Sequence, residues 1–163
     1  MAIKTGGRIP DSMVNMLNDG IEPISTQSFF AGRKVLLFAV PGAFTPTCSN
    51  LHLPGYVKHL DDFEQRGITV ACMAVNDAFV MRAWADSQHV PRSLAMLADG
   101  NGAFTCALGM EMDGSGFGMG RRARRFALYA EDGVVRILHP EAPGEFRVSS
   151  AEAMLQALDS MKS

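Results

Sequence analysis

Val35-Leu-Leu-Phe-Ala-Val40 runs directly into Pro41-Gly-Ala-Phe-Thr-Pro-Thr-Cys48, and the reading of this stretch decides the fold. A short continuous apolar run bounded by Arg33-Lys34 and Pro41-Gly42 fits a strand buried on both faces. Beyond its carboxyl end, Pro46 supplies the φ that a first helical turn requires and lacks the N–H that such a turn leaves unpaired. Thr47 and Cys48 are therefore placed at a helix start. Tyr56, Leu60 and Phe63 recur at helical spacing after Pro54-Gly55, and Gly67 stands where the helix should stop.

The pattern repeats outward. Ile68 to Val75 is a second apolar run, and Asn76-Asp77 supplies an N-cap for a helix in which Ala78, Met81 and Ala85 share a face. Leu94 to Ala98 reads as a third strand and Ala103 to Leu108 as a brief helix. Arg125 to Ala130 and Val134 to Leu138 flank Glu131-Asp-Gly133, a hairpin signal that adds an antiparallel edge. Ser149-Ser-Ala-Glu152 matches a capping box, and Ala151, Met154, Leu155 and Leu158 then form one apolar stripe. Gly109 to Arg125, rich in glycine and arginine, reads as a loop. This order predicts one α/β domain over residues 1–163, a thioredoxin-like fold with a mixed central sheet flanked by helices. Open sheets of this kind hold ligands beyond the carboxyl ends of their strands, which directs attention to Cys48.

Composition narrows the function. Among 163 residues, 15 Lys and Arg oppose 17 Asp and Glu, a formal charge of -2 that gives no general attraction to phosphate backbones or anionic lipid. The one basic cluster, Gly120-Arg-Arg-Ala-Arg-Arg125, lacks interleaved aromatic residues, so no nucleic-acid partner is expected. No run approaches the ~18 apolar residues of a membrane span, and the first ten residues contain no apolar h-region, so no membrane partner and a cytoplasmic location are expected. Three cysteines, Cys48, Cys72 and Cys106, form no C-x-x-C pair, which argues against a disulfide framework, a zinc site or a dithiol motif. The expectation is a single reactive thiol without metal or organic cofactor.

Cys48 is the candidate. Unpaired amides and the positive end of the helix dipole favour a thiolate at that place, whereas a free cysteine elsewhere is usually a small buried hydrophobe. Polar turn residues on both sides of Cys48 favour the reactive reading. Pro41-Gly-Ala-Phe-Thr-Pro-Thr-Cys48 resembles the P-x-x-x-T-x-x-C signature of the peroxiredoxins. His52-Leu-Pro-Gly55, Val75-Asn-Asp-Ala-Phe-Val80, Ala98-Asp-Gly100 and Arg124-Arg-Phe-Ala127 extend the resemblance to the type II, peroxiredoxin-5-like branch, from about Gly20 to about Leu158.

The resemblance implies a peroxidase that reduces hydrogen peroxide or alkyl hydroperoxides through a sulfenic acid. In it Cys48 matches the peroxidatic cysteine, Thr45 the hydroxyl that orients the peroxide, Pro41 the ring that shields the thiolate, and Arg125 the guanidinium beside it. Gly42, Phe44 and His52 are expected at the substrate site, with a structural hydrogen bond in the helix as the equal alternative for His52. Arg124 and Arg125 would point to opposite faces of a strand, and the family favours Arg125, leaving Arg121, Arg122 and Arg124 as a solvated rim. Cys72, inside an apolar strand, reads mainly as core and secondarily as a resolving cysteine; Cys106 reads as helix packing. Ser149 and Ser150 stand where some relatives carry a resolving cysteine, so the sulfenic acid is expected to be reduced from outside, by glutathione with glutaredoxin or by thioredoxin, approaching an exposed Cys48. Phe44 and Phe79-Val-Met81 suggest a homodimer. The alternative function is a peroxide sensor or holdase acting through mixed disulfides of Cys48.

Overall fold

The computed structural model describes residues 2–161; Met1, Lys162 and Ser163, at the ends of the expected 1–163 domain, lie outside the described residues. A hairpin of β1 (Met13–Leu17) and β2 (Ile21–Ser25) leads into α1 (Thr26–Phe30). Then β3 (Lys34–Ala39) is followed by a π-helical turn (Cys48–His52), α2 (Leu53–Lys58) and α3 (Leu60–Glu64). Next come β4 (Ile68–Ala74), α4 (Ala78–Ser87), β5 (Ala95–Ala98) and α5 (Ala103–Leu108). A two-stranded ribbon of β6 (Glu111–Asp113) and β7 (Arg121–Ala123) precedes β8 (Phe126–Glu131), β9 (Val134–Pro140) and α6 (Ala151–Met161).

The main sheet has seven strands in the order β2-β1-β5-β4-β3-β8-β9. Its centre, β5-β4-β3, is parallel, and the flanking strands on both sides are antiparallel, so the sheet is mixed as expected. Alternation along β3 builds two cores. Leu36 and Phe38, with Val40 beyond the strand, pack with α2, α3, α4 and α6, while Val35, Leu37 and Ala39 pack with Phe30 of α1 and Phe104 of α5. The β8–β9 turn places Asp132 at φ 49 and Gly133 at φ 77, the left-handed pair that a two-residue hairpin of matching twist needs.

Two local expectations are corrected, and one hairpin is added. Gly109 to Arg125 contains the β6–β7 ribbon rather than only loop. The hairpin at Met13–Leu17 and Ile21–Ser25 adds an edge that the apolar runs did not announce, with Pro23 on the outermost strand, where a missing N–H costs least. The α6 cap falls one residue late: Ser150 Oγ accepts from the Ala153 N–H at 3.1 Å, because the Ser149 hydroxyl donates to Glu141 instead. Glu152 meets His59 at 3.0 Å rather than reaching back.

Candidate active site

Strand register assembles the site. Ala39 pairs with Phe126 and Phe126 with Pro140, so the residues just outside these pairs, Val40, Arg125 and Glu141, share one end of the sheet. The Glu141 N–H donates to the Arg125 carbonyl at 2.9 Å and extends that ladder by one step. The chain leaving β3 at this end carries Cys48. The Leu53 N–H reaches back five residues to the Cys48 carbonyl, which defines the π-turn. Pro54 accounts for this widening, since it has no N–H and its ring would strike the Asn50 carbonyl in a regular helix.

Cys48 is fully buried, in the same apolar cluster as Phe38, Tyr56 and Cys72. The expectation of an exposed thiol is therefore corrected, while the polar partner is present: Arg125 Nη2 lies 3.2 Å from Cys48 Sγ. The Arg125 Nη1 lies 2.7 Å from His52 Nδ1, and His52 Nε2 lies 3.0 Å from the Ser149 carbonyl. These partners fix the imidazole. A carbonyl only accepts, so Nε2 carries the hydrogen; a guanidinium only donates, so Nδ1 is bare. Burial first, and the Arg125 charge second, lower the His52 pKa from 6.5 to about 3, in keeping with a neutral ring. Both ring nitrogens are thus engaged. His52 orients Arg125 from behind and offers no free nitrogen to a substrate.

The rim is made by Pro41 to Thr45. Asn76 Oδ1 accepts from the Ala43 N–H at 2.9 Å, tying this loop to the start of α4. Thr45 Oγ1 donates to the Gly42 carbonyl at 2.7 Å, leaving its lone pairs as acceptors. Arg122 Nη1 donates to the Pro41 carbonyl at 3.3 Å and its Nε to the Met119 carbonyl at 2.9 Å. A Cβ on Gly42 would come 2.7 Å from Arg122 Nη1 and 3.3 Å from Thr45 Cγ2, so a side chain there would displace the guanidinium that holds Pro41. Phe44 adopts φ 65, a strained choice for a bulky residue worth about 1–3 kcal/mol, and its ring is exposed.

Several residues are placed differently from expectation. Arg125 precedes β8 rather than lying in it, and Arg124 donates to the Glu141 carbonyl at 2.7 Å. Of the expected solvated rim only Arg121 is exposed, paired with Glu111; Arg122 and Arg124 are half-buried and bonded to main-chain carbonyls. Cys106 is exposed rather than packed. Met81 is buried in the core, which removes it from the expected apolar surface and leaves Phe44 and Phe79 exposed. Sequence reasoning missed Asn76 as a loop anchor and Glu141 altogether. Asn76 stood next to the cap residue Asp77 and was read as part of the same cap.

Among the described residues no group of three or more His, Cys, Asp or Glu side chains could hold a metal ion, and no helix is long and apolar enough to cross a membrane. The Redoxin family matches residues 4–155. The chain is similar to peroxiredoxin-2E of Arabidopsis thaliana, a chloroplastic protein, at 46% identity over 96% of this chain and 70% of that one. Among solved structures, it is similar to reduced Prx3 of Vibrio vulnificus in complex with hydrogen peroxide, at 47% identity and a TM-score of 0.92 over 96% and 99% of the two chains. Peroxiredoxin 5 of Alvinella pompejana is also similar, at 36% identity and a TM-score of 0.85 over 97% and 99%. The cysteine and arginine joined at the sheet end, and the family match over nearly the whole chain, lead to one conclusion: the chain belongs to the Redoxin family as a peroxiredoxin of the type II, peroxiredoxin-5-like branch, a thiol-dependent peroxidase.

Proposed function

We propose that Cys48 is the attacking thiolate and that it works with an external thiol rather than a second cysteine of its own chain. The contact of Arg125 Nη2 with Cys48 Sγ carries the reading. Sulfur attacks one oxygen of hydrogen peroxide or an alkyl hydroperoxide, the O–O bond breaks, and Cys48 becomes a sulfenic acid. The departing hydroxide or alkoxide takes a proton and leaves as water or alcohol. Arg125 presents fixed donors to the developing charge, and the free N–H groups of the first helical turn at Thr47 and Cys48 add to them. Thr45, with its hydrogen committed to Gly42, accepts from the peroxide O–H and holds the oxygen in line, while Pro41 covers the sulfur. Gly42 and Phe44 line the approach.

The choice of an external thiol rests on Cys72. Burial first, and the neighbouring Cys48 charge second, push its thiol well above the ordinary value, against a smaller opposing effect of Arg125. A protonated thiol is a poor resolving nucleophile. Ser149 and Ser150 offer no sulfur. A small thiol first forms a mixed disulfide with Cys48, releasing water, and a second thiol then returns Cys48 to its reduced form. Because Cys48 is fully buried, this exchange requires the π-turn to open, and a turn already one residue out of helical register is the part of the helix that opens at least cost.

The same reading places the protein in a reducing compartment such as the cytoplasm, as a homodimer joined at the end where Phe44 and Phe79 expose 56% and 59% of their surface. Peroxide consumption coupled to glutathione with glutaredoxin, and separately to thioredoxin, tests the function: many turnovers per Cys48 with at least one system are expected. One turnover only, with both, overturns catalysis. Light scattering of the reduced protein at micromolar concentration tests the dimer.

A further inference from the structure

Glu141 is a buried carboxylate that the peroxide chemistry does not use. Its side chain is 3% exposed, and every donor it meets among the described residues is neutral. The N–H of Arg147 donates to both oxygens at 3.0 and 2.9 Å, that of Val148 at 2.8 Å and that of Ser149 at 2.7 Å, and the Ser149 hydroxyl adds a contact of 2.6 Å. The Arg147 guanidinium turns away to Glu145. Three successive main-chain N–H groups aimed at one carboxylate form an anion nest built from the protein's own chain. Burial would raise the Glu141 pKa, but the Ser149 hydroxyl and the N–H groups of Arg147, Ser149 and Val148 outweigh it and hold the group below its usual value.

What the nest holds in place is the back of the catalytic pair. The Ser149 carbonyl, projecting from the closed loop, accepts from His52 Nε2 at 3.0 Å and from Tyr56 Oη at 2.7 Å. The Phe146 ring, carried by the same loop, lies 5.7 Å from the Arg125 guanidinium and 4.9 Å from the His52 ring. The main chain of Glu141 itself brackets the arginine pair, bonding to the Arg125 carbonyl and to the Arg124 side chain. An unbroken path of hydrogen bonds therefore runs from Glu141 through Ser149, His52 and Arg125 to Cys48 Sγ.

We infer that Glu141 is a positioning residue for peroxide reduction: its buried carboxylate closes residues 141–149 into a clasp whose Ser149 carbonyl and Phe146 ring fix the tautomer of His52 and the aim of Arg125. The inference rests on the assignment of Cys48 and Arg125 above. Networks of this kind are cooperative, and removing one acceptor leaves several buried donors unsatisfied. In Glu141→Gln the shape is kept, but one oxygen becomes an NH2 that faces donors.

The test reads His52 and Cys48 separately. Side-chain ¹⁵N shifts of His52 report its tautomer. Stopped-flow fluorescence of Trp84, whose Nε1 donates to Ser49 Oγ at 3.0 Å beside Cys48, follows the reaction with hydrogen peroxide. In Glu141→Gln the single Nε2–H tautomer is expected to give way to a mixture, and the reaction to slow about tenfold. In a His52→Leu background the same substitution should change the rate less than about twofold, because the path is already cut. A lowered Tm with unchanged His52 shifts and rate would make Glu141 merely structural, and additive effects in the double variant would also overturn the inference. If Glu141→Gln does not fold, Ser149→Ala enters the same cycle with the same criteria at an expected twofold to threefold effect, on the order of losing one hydrogen bond. Failure of wild-type Cys48 to form a sulfenic acid would defeat the functional assignment instead, while the His52 shifts would still report on the clasp.

Discussion

Cys48 and Cys72 share one apolar layer and neither exposes any surface, yet their polar surroundings differ. Cys72 sits in the middle of β4, opposite Phe38, with its main chain held in a parallel ladder on both sides. Its thiol is pushed well up by burial. Cys48 stands past the end of β3, on a turn, with a guanidinium 3.2 Å from its sulfur. Burial alone thus does not separate Cys72 from the thiol proposed to react. What separates them is the pairing of β3 with β8, which delivers Arg125 to one sulfur as a direct partner.

The contrast can be broken most severely at Cys48 itself. Cys48→Ser should abolish peroxide turnover in a folded protein, since a hydroxyl supplies no usable anion near neutral pH; a tenth of wild-type turnover would contradict the assignment. Arg125→Ala should slow sulfenic acid formation about a hundredfold, the scale of losing one transition-state donor. Arg124→Ala, which loses a bond to a carbonyl, should slow it far less, and the reverse ranking would mean that the register carries the wrong arginine to the sulfur.

A smaller effect concerns stability. Unfolded His52 takes up a proton near 6.5 and the folded ring only near 3, so the unfolded state binds more protons in this window. Stability should therefore fall as pH drops from about 6.5 towards 3, by roughly 1 kcal/mol per pH unit, joined below about 4.5 by loss of the Glu141 contribution. Urea denaturation of wild type and His52→Gln between about pH 7 and pH 5 checks this, and equal slopes would contradict it. The smallest effect sharpens the comparison: Cys72→Ser with Cys106→Ser should leave turnover with an external thiol within about twofold of wild type, since neither sulfur meets the peroxide. A loss of tenfold or more would make one of them a resolving cysteine.

Much of the frame was legible because it is local. The Val35 to Val40 run, the Asp77 cap, whose Oδ1 accepts from the Val80 N–H at 2.8 Å, and the Asp132-Gly133 turn each depend on neighbours within a few residues. Asn18-Asp-Gly20 is an equally local turn signal for the first hairpin, but the strands on either side of it lack a continuous apolar run. The Val35 to Cys48 stretch reads as a strand, a turn and a helix start, and the structure has all three. The π-turn was less visible, because Pro54 marks a conflict without saying whether the helix bends, breaks or widens. The arginine that the resemblance favours is the one that lies 3.2 Å from Cys48 Sγ, but strand alternation does not select it, since Arg124 and Arg125 precede β8. The His52–Arg125 bond and the Glu141 nest were not readable. The first joins residues 73 apart, and the second closes an irregular loop between Glu141 and Arg147 to Ser149 that follows no cap or turn pattern. Burial of Cys48 escaped for a related reason: its apolar neighbours, Phe38 and Tyr56, are brought together only when α2 packs on β3.

The most direct test of Cys48 as a lone peroxidatic thiol is intact-mass spectrometry of the reduced protein after one equivalent of hydrogen peroxide, with dimedone present and no reductant, followed by peptide mapping. The expected result is a dimedone adduct on Cys48 alone, with Cys72 and Cys106 unmodified. A stoichiometric loss of about two mass units per chain, mapped to a Cys48–Cys72 disulfide, would contradict it.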